Sequence, residues 1–116
     1  MLATVRAVEV RRAVAALGAE GIGQGDLVPR AKELGGADVV IELVGAPNLE
    51  SDLAALAMKG RIVIVGTGAG ADAELSLRAL MGKRARCAIV QCLSLCPRVG
   101  DFPGSTRVSR IFLLHI

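Results

Sequence analysis

The stretch from residue 37 to residue 71 constrains the fold more than any other part of the chain. It reads ADVVIELVG, then APNLESDLAALAMKG, then RIVIVGTGAGA. Its two apolar runs, Val39-Val40-Ile41 and Ile62-Val63-Ile64-Val65, are short, β-branched and do not alternate with polar residues. Runs of this kind predict strands covered on both faces, as in a parallel sheet with helices above and below. Between them Leu49, Leu53 and Leu56 recur at i, i+4, i+7, one face of a helix that Asn48 can cap and that Gly60 releases into the second strand. Turns at the C-terminal ends of such strands are where open α/β sheets bind ligands.

The flanks continue the alternation. Residues 2–5 (LATV) predict a short strand, followed by a helix over 8–17 with Val10, Val14 and Leu17 on one face and Gly18 as its C-terminal stop. Residues 21–25 (GIGQG) predict a loop with at most a vestigial strand, because Ile22 is the only large apolar residue there. Asp26 can cap a second helix running to Leu34, with Pro29 tolerated in its first turn and Gly35-Gly36 ending it. Beyond the glycine turn, residues 73–81 predict a helix and 87–93 a further strand. Strands alternating with helices mean an α/β fold with a parallel sheet and right-handed crossovers.

A chain of 116 residues is one domain at most. With 53% hydrophobic residues and almost no aromatics, its core is built from Ala, Val, Leu and Ile. The net charge of +3 is modest, and no aromatic lies among Arg11-Arg12 or Lys83-Arg84 and Arg86 to stack bases. Those clusters read as solvated helix ends, not as a nucleic-acid surface. The N-terminus is charged too early and is apolar over too short a run for a signal peptide, and nothing approaches the roughly 18 apolar residues of a membrane span. The expected location is cytoplasmic, with no membrane partner.

Cys87, Cys92 and Cys96 have a C-x4-C-x3-C spacing that matches no familiar zinc pattern, so reduced thiols and no metal are expected. All three lie after Arg86, as do both phenylalanines, the single histidine, Pro97 and Pro103. Residues 97–109 show no period, and 110–116 (RIFLLHI) are apolar enough for one more strand.

The order ATVRAVEVRRAVAALGAE, GGADVVIELVG, LESDLAALAMKGRIVIVG and AELSLRALMGKRAR resembles the medium-chain dehydrogenase/reductase superfamily, the zinc alcohol dehydrogenases and zinc-free quinone oxidoreductases. The likeness covers about residues 3–86. It implies a Rossmann domain binding NAD(H) or NADP(H) for hydride transfer, entered at the second strand of the family's sheet. The first strand and its G-x-G-x-x-G turn would lie before Met1, as would most of the catalytic domain. The expectation is an incomplete Rossmann-like parallel sheet with flanking helices: residues 1–86 a partial dinucleotide-binding domain, 87–116 a divergent tail. A shifted reading frame or a truncated gene would explain that break. The implied function is a fragment of an NAD(P)(H)-dependent oxidoreductase acting on an alcohol, aldehyde or quinone-type substrate, inactive alone. A non-catalytic α/β module for a nucleotide or a protein partner is the alternative.

By the same resemblance, Arg6 follows the strand whose end reads the adenosine ribose. A carboxylate there would bind the 2′-hydroxyl of NAD, whereas a cation pairs with the 2′-phosphate of NADP. No acid occurs before Glu9, and Arg11 and Arg12 are near, so the residues lean toward NADP(H); an exposed arginine at a strand end is the competing reading. Val44-Gly45 and Gly66-Thr67-Gly68 would pass the ribose and nicotinamide end, where glycine lets backbone approach a ligand, although a strand-to-helix turn needs glycine in any case. Residues 66–71 also fit G-x-G-x-x-A, the signature of a first-strand phosphate turn, against the family register. Glu42 interrupts an apolar strand and reads as structural, and His115 has no partner in sequence.

A sheet ordered 3-2-1-4-5-6 that lacks its central strand leaves two inner edges unpaired, which is costly in a core. The strands near Leu2 and Val39 can pair directly, the tail at 111–116 can enter the gap, or two chains can associate through exposed edges. Direct pairing, with the tail loosely placed, is the expectation. Dinucleotide binding by the isolated chain would then be weak or absent.

Overall fold

The computed structural model of the chain describes residues 1–90 and the backbone of 112–115. In order, the elements are β1 (Leu2–Thr4), α1 (Val8–Ala16), β2 (Glu20–Ile22), α2 (Leu27–Glu33), β3 (Ala37–Glu42), α3 (Leu49–Ala55), β4 (Leu56–Ile64), α4 (Leu77–Lys83), β5 (Arg86–Ile89) and β6 (Phe112–His115). Single 3-10 turns at Gln24–Asp26 and Ala46–Asn48 lead into α2 and α3. The alternation predicted from apolar runs and glycine stops is therefore present. Its vestigial strand is real, three residues long, and forms one edge of the sheet.

The sheet has the order β2-β1-β6-β3-β4-β5, and every pair is parallel. This corrects the expectation that β1 and β3 pair directly. Leu113 is in register with Leu2 on one side and Val40 on the other, so β6 occupies the slot that the 3-2-1-4-5-6 order gives to the first strand. The physical reason is the one that made direct pairing attractive: both inner edges need partners, and a third strand satisfies both at once. The rest of the expected 87–93 strand beyond Val90, Cys92, Cys96, the segment 97–109 and the side chain of His115 lie outside the described residues.

Local corrections follow from tertiary demands. Asp26 and Asn48 occupy the N-cap positions of α2 and α3, but neither side chain caps. Each is already helical because the preceding 3-10 turn runs straight on, with Asp26 N–H donating to Gly23 O and Asn48 N–H to Gly45 O. Leu56, expected on the helical stripe, is already extended (ψ 139°) and opens β4. Helix α4 starts at Leu77, later than expected, where the Ser76 hydroxyl accepts a hydrogen bond from Ala79 N–H at 3.2 Å. On α1 only Val14 of the expected stripe is buried; Leu17 is 82% exposed.

The sheet's two faces are unequal. One is packed under α2, α3 and α4 by a cluster that includes Leu2, Leu27, Val40, Leu53, Ile62 and Ile64. The other carries a small cluster of Ala3, Val5, Val14 and Ala19 beneath α1. Val39 is buried, but Ile41 and Val63 are only half-buried. Coverage on both faces, predicted from the unalternating runs, holds fully for one face only among the described residues.

Candidate functional site

Chain direction puts the ends of β1, β2 and β3 side by side, because parallel strands deliver all their C-termini to one edge. β1 is prolonged by Val5 N–H donating to Ile22 O at 2.9 Å, after which Arg6 emerges exposed. β2 runs into Gly23-Gln24, and β3 into Val44. Between them lies a cleft of about 320 Å³ lined by Arg6, Arg11, Gln24, Val44 and Asn48, among others. Two of the residues singled out in the sequence, Arg6 and Val44, thus meet at one site.

Arg11 reaches this cleft from α1, because Gly21 lets the helix ride close on β2. A Cβ at position 21 would stand 3.0 Å from Arg11 Cα. Among the described residues the buried Nε of Arg11 has no hydrogen-bond partner. Among the described residues no carboxylate lines the cleft, and the ion pairs, Arg30 with Glu20 and with Glu33, lie elsewhere. Two guanidinium groups at one opening make it anion-seeking, although the Asp26 carboxylate stands near Arg11: its Oδ2 and Arg11 Nη2 each lie 3.3 Å from where a Cβ on Gly23 would be. Gln24 and Asn48 were missed in the sequence reading. Gln24 Nε2 donates to Asn48 Oδ1 at 3.1 Å and to Ser51 Oγ at 3.2 Å, tying the loop after β2 to the start of α3. The available signal was that Gly23-Gln24 follows a strand, however short.

The remaining predicted residues form a second group. Glu42 is fully buried at the end of β3, and its Oε1 accepts from Val44 N–H, from Gly45 N–H at 2.7 Å and from Asn48 Nδ2 at 3.4 Å. Its carboxylate holds the turn, as the structural reading of this residue expected. Gly45 has φ 110°, and a Cβ there would lie 2.5 Å from Gly70 O and 2.9 Å from Thr67 Cα. The two turns are zipped together by Ala46 N–H to Gly70 O (3.0 Å) and Ala69 N–H to Val44 O (2.9 Å). A Cβ at Gly66 would meet Leu43 O at 2.3 Å, whereas Gly68 faces open space. The glycines at 45 and 66 are therefore required by backbone packing of the turns themselves. The rival phosphate-turn reading of 66–71 does not have its geometry, because no helix begins until Leu77.

Among the described residues no group of three or more His, Cys, Asp or Glu converges. Cys87 is exposed.

The family profile described as zinc-binding dehydrogenase matches residues 2–104. An NAD-dependent alcohol dehydrogenase of known structure is 28% identical, with a TM-score of 0.68 over 76% of this chain and 27% of that one. The quinone oxidoreductase of Pseudomonas syringae pv. Tomato DC3000 is 27% identical, with a TM-score of 0.70 over 78% of this chain and 30% of that one. A mycobacterial protein solved in complex with NADPH, 21% identical with a TM-score of 0.69 over 78% of this chain and 30% of that one, shows the same fold. The chain spans less than a third of the length of each. No curated protein matches it.

Proposed function

Because the chain belongs to the zinc-binding dehydrogenase family, within the medium-chain dehydrogenase/reductase superfamily, we propose that it forms part of the nicotinamide-dinucleotide domain of an oxidoreductase and receives the adenosine-phosphate end of NADP(H) in the cleft at Arg6. The observation that carries this reading is the pair of arginines, Arg6 and Arg11, lining a cleft that no carboxylate lines among the described residues, with the buried Nε of Arg11 unpartnered there. The fit is to a phosphate. A cation at this strand end suits the 2′-phosphate of NADP, where an acid would suit the ribose of NAD. The cleft's size is at the small end of ligand sites, roughly 300–1,000 Å³, and suits one end of a dinucleotide better than the whole.

In this reading Arg6 and Arg11 bind the phosphate, while Gln24 and Asn48 orient the sugar edge. Val44-Gly45 and Gly66-Thr67-Gly68 stand at the next strand ends toward the nicotinamide, Gly68 with open space above it. The bound dinucleotide supplies hydride chemistry, and the protein's share is to orient it beside a substrate. The substrate-binding part of such an enzyme lies outside these residues, so the chain alone has negligible activity. We place it in the cytoplasm. No helix among the described residues is long and apolar enough to cross a membrane. β5, exposed along its whole length at the sheet's edge, is where two copies would pair.

The test is calorimetric titration of the chain with NADPH and NADH. NADPH is expected to bind more tightly, with Arg6→Gln weakening NADPH about tenfold and leaving NADH unchanged. Equal affinities, or an unaffected Arg6→Gln variant, overturn the assignment. Measurable NADPH oxidation with any quinone or aldehyde would overturn the claim of inactivity. A second reading, a self-contained non-catalytic module, is favoured by β6, which makes the sheet continuous within this chain. Low-micromolar dinucleotide affinity without turnover would support it.

A further inference from the structure

At the opposite end of the sheet from the Arg6 cleft, four cations converge. Lys59, Arg61, Arg84 and Arg86 line an opening of about 400 Å³ where the regular part of β4 and the start of β5 lie side by side. Arg61 and Arg86 are register partners in the parallel pair, so two like charges stand directly opposite each other, an arrangement that destabilises a sheet unless something offsets it. Among the described residues no acid lines the opening, and none of the four makes an ion pair.

The backbone departs from local preference at the same place. Lys59 (φ 63°) and Arg84 (φ 51°) are the only non-glycine residues with positive φ among the described residues. Arg84 holds the left-handed position that closes α4, its N–H donating to Met81 O at 3.0 Å, where glycine is the usual occupant. Both exceptions set a long cationic side chain at the rim of one opening. Strain and like-charge crowding that coincide at one site are a signature of a binding role.

We infer that Lys59, Arg61, Arg84 and Arg86 form a binding site for an oligophosphate, separate from the dinucleotide cleft and independent of its assignment. Three guanidinium forks and one ammonium match the several oxygens of linked phosphates. Among the described residues no aromatic side chain lines the opening to hold a base, so the site reads phosphate whether it is free or the tail of a nucleotide. Polyanion binding also removes the repulsion between Arg61 and Arg86.

The experiment is calorimetric titration of the full chain with sodium tripolyphosphate, at about 50 mM and about 200 mM salt. Saturable binding that weakens with salt is expected, with ATP binding no more tightly than tripolyphosphate. Arg61→Gln/Arg86→Gln is expected to weaken binding at least about tenfold, and Arg12→Gln/Arg78→Gln, which removes the same charge from exposed helix positions, less than about threefold. Circular dichroism melts confirm that each variant is folded. Thermal stabilisation of the wild type by tripolyphosphate, absent in Arg61→Gln/Arg86→Gln, is the second readout and stands even where one variant folds poorly. Absence of saturable binding, equal losses in the two double variants, or a preference for ATP that Arg61→Gln/Arg86→Gln abolishes would each overturn the inference.

Discussion

The two faces of the sheet are built from the same apolar runs and end up differently. Along β4, Ile62 and Ile64 point to one face and are buried, while Val63, between them, points to the other and is half-buried. Along β3, Val40 is fully buried and Ile41 is not. Among the described residues the first face lies under three helices and the second under α1 alone, which covers β1 and β2. An unalternating β-branched run therefore encodes a strand of this sheet but not how thoroughly each face is covered. Coverage belongs to the helices, and their positions depend on the whole chain path.

Substitutions at adjacent residues test that contrast most sharply. Ile62→Ala should cost about 3 kcal/mol of stability in urea denaturation, because it leaves a cavity beneath helices that cannot collapse into it. Next in size is Lys83→Met, on the well-covered side. Lys83 Nζ reaches from α4 to donate to Ala54 O at 2.9 Å and to Leu56 O, closing carbonyls that the end of α3 leaves open. Its loss should cost about 1–2 kcal/mol. Val63→Ala, on the open face, should cost about 1 kcal/mol or less. If Ile62→Ala and Val63→Ala prove equally damaging, the second face is covered after all and the contrast fails.

The smallest effect is expected at the rim. Arg30 holds Glu20 with two hydrogen bonds, Nε to Oε1 at 2.9 Å and Nη2 to Oε2 at 3.0 Å. The hydrogen bonds from Arg30, and then its charge, hold the Glu20 carboxyl below its ordinary value of 4.5. A depressed carboxyl contributes stability that is fully present above its unfolded value and is lost as pH falls through the folded one. Glu20→Gln should therefore cost less than about 1 kcal/mol near neutral pH, and salt should reduce the cost. The wild-type and variant stabilities should converge below pH 4.5. A difference that persists in acid would mean that Glu20 acts through packing and not through its charge.

Much of the fold was legible because the signals are local. Gly18 and Gly35-Gly36 stop helices where a left-handed residue is needed, and their φ values of 85°, 91° and 90° agree. The run RIVIV could only be a strand. Arg6 and Val44 were placed correctly at strand ends, and in parallel strands that alone brings them to one edge. The roles of Asn48 and Gln24 were not legible in the same way. Asn48 has the composition of a cap, but its side chain is engaged by Glu42 and Gln24, residues six and twenty-four positions away. Local propensity yields to such contacts because one tertiary hydrogen bond is worth as much as a cap.

The sequence by itself determined most of the strands and helices and their parallel arrangement, since these rest on steric preferences and apolar periods a few residues long, while the family was legible by resemblance in the order of its segments. Only the tertiary structure decided which strand stands between β1 and β3, which face is the less covered among the described residues, and that the glycines at 45 and 66 serve turn-to-turn packing. Strand pairing and turn contacts join residues far apart in the chain. Their free energy comes from satisfying backbone groups and filling space in three dimensions, which no short window of sequence records.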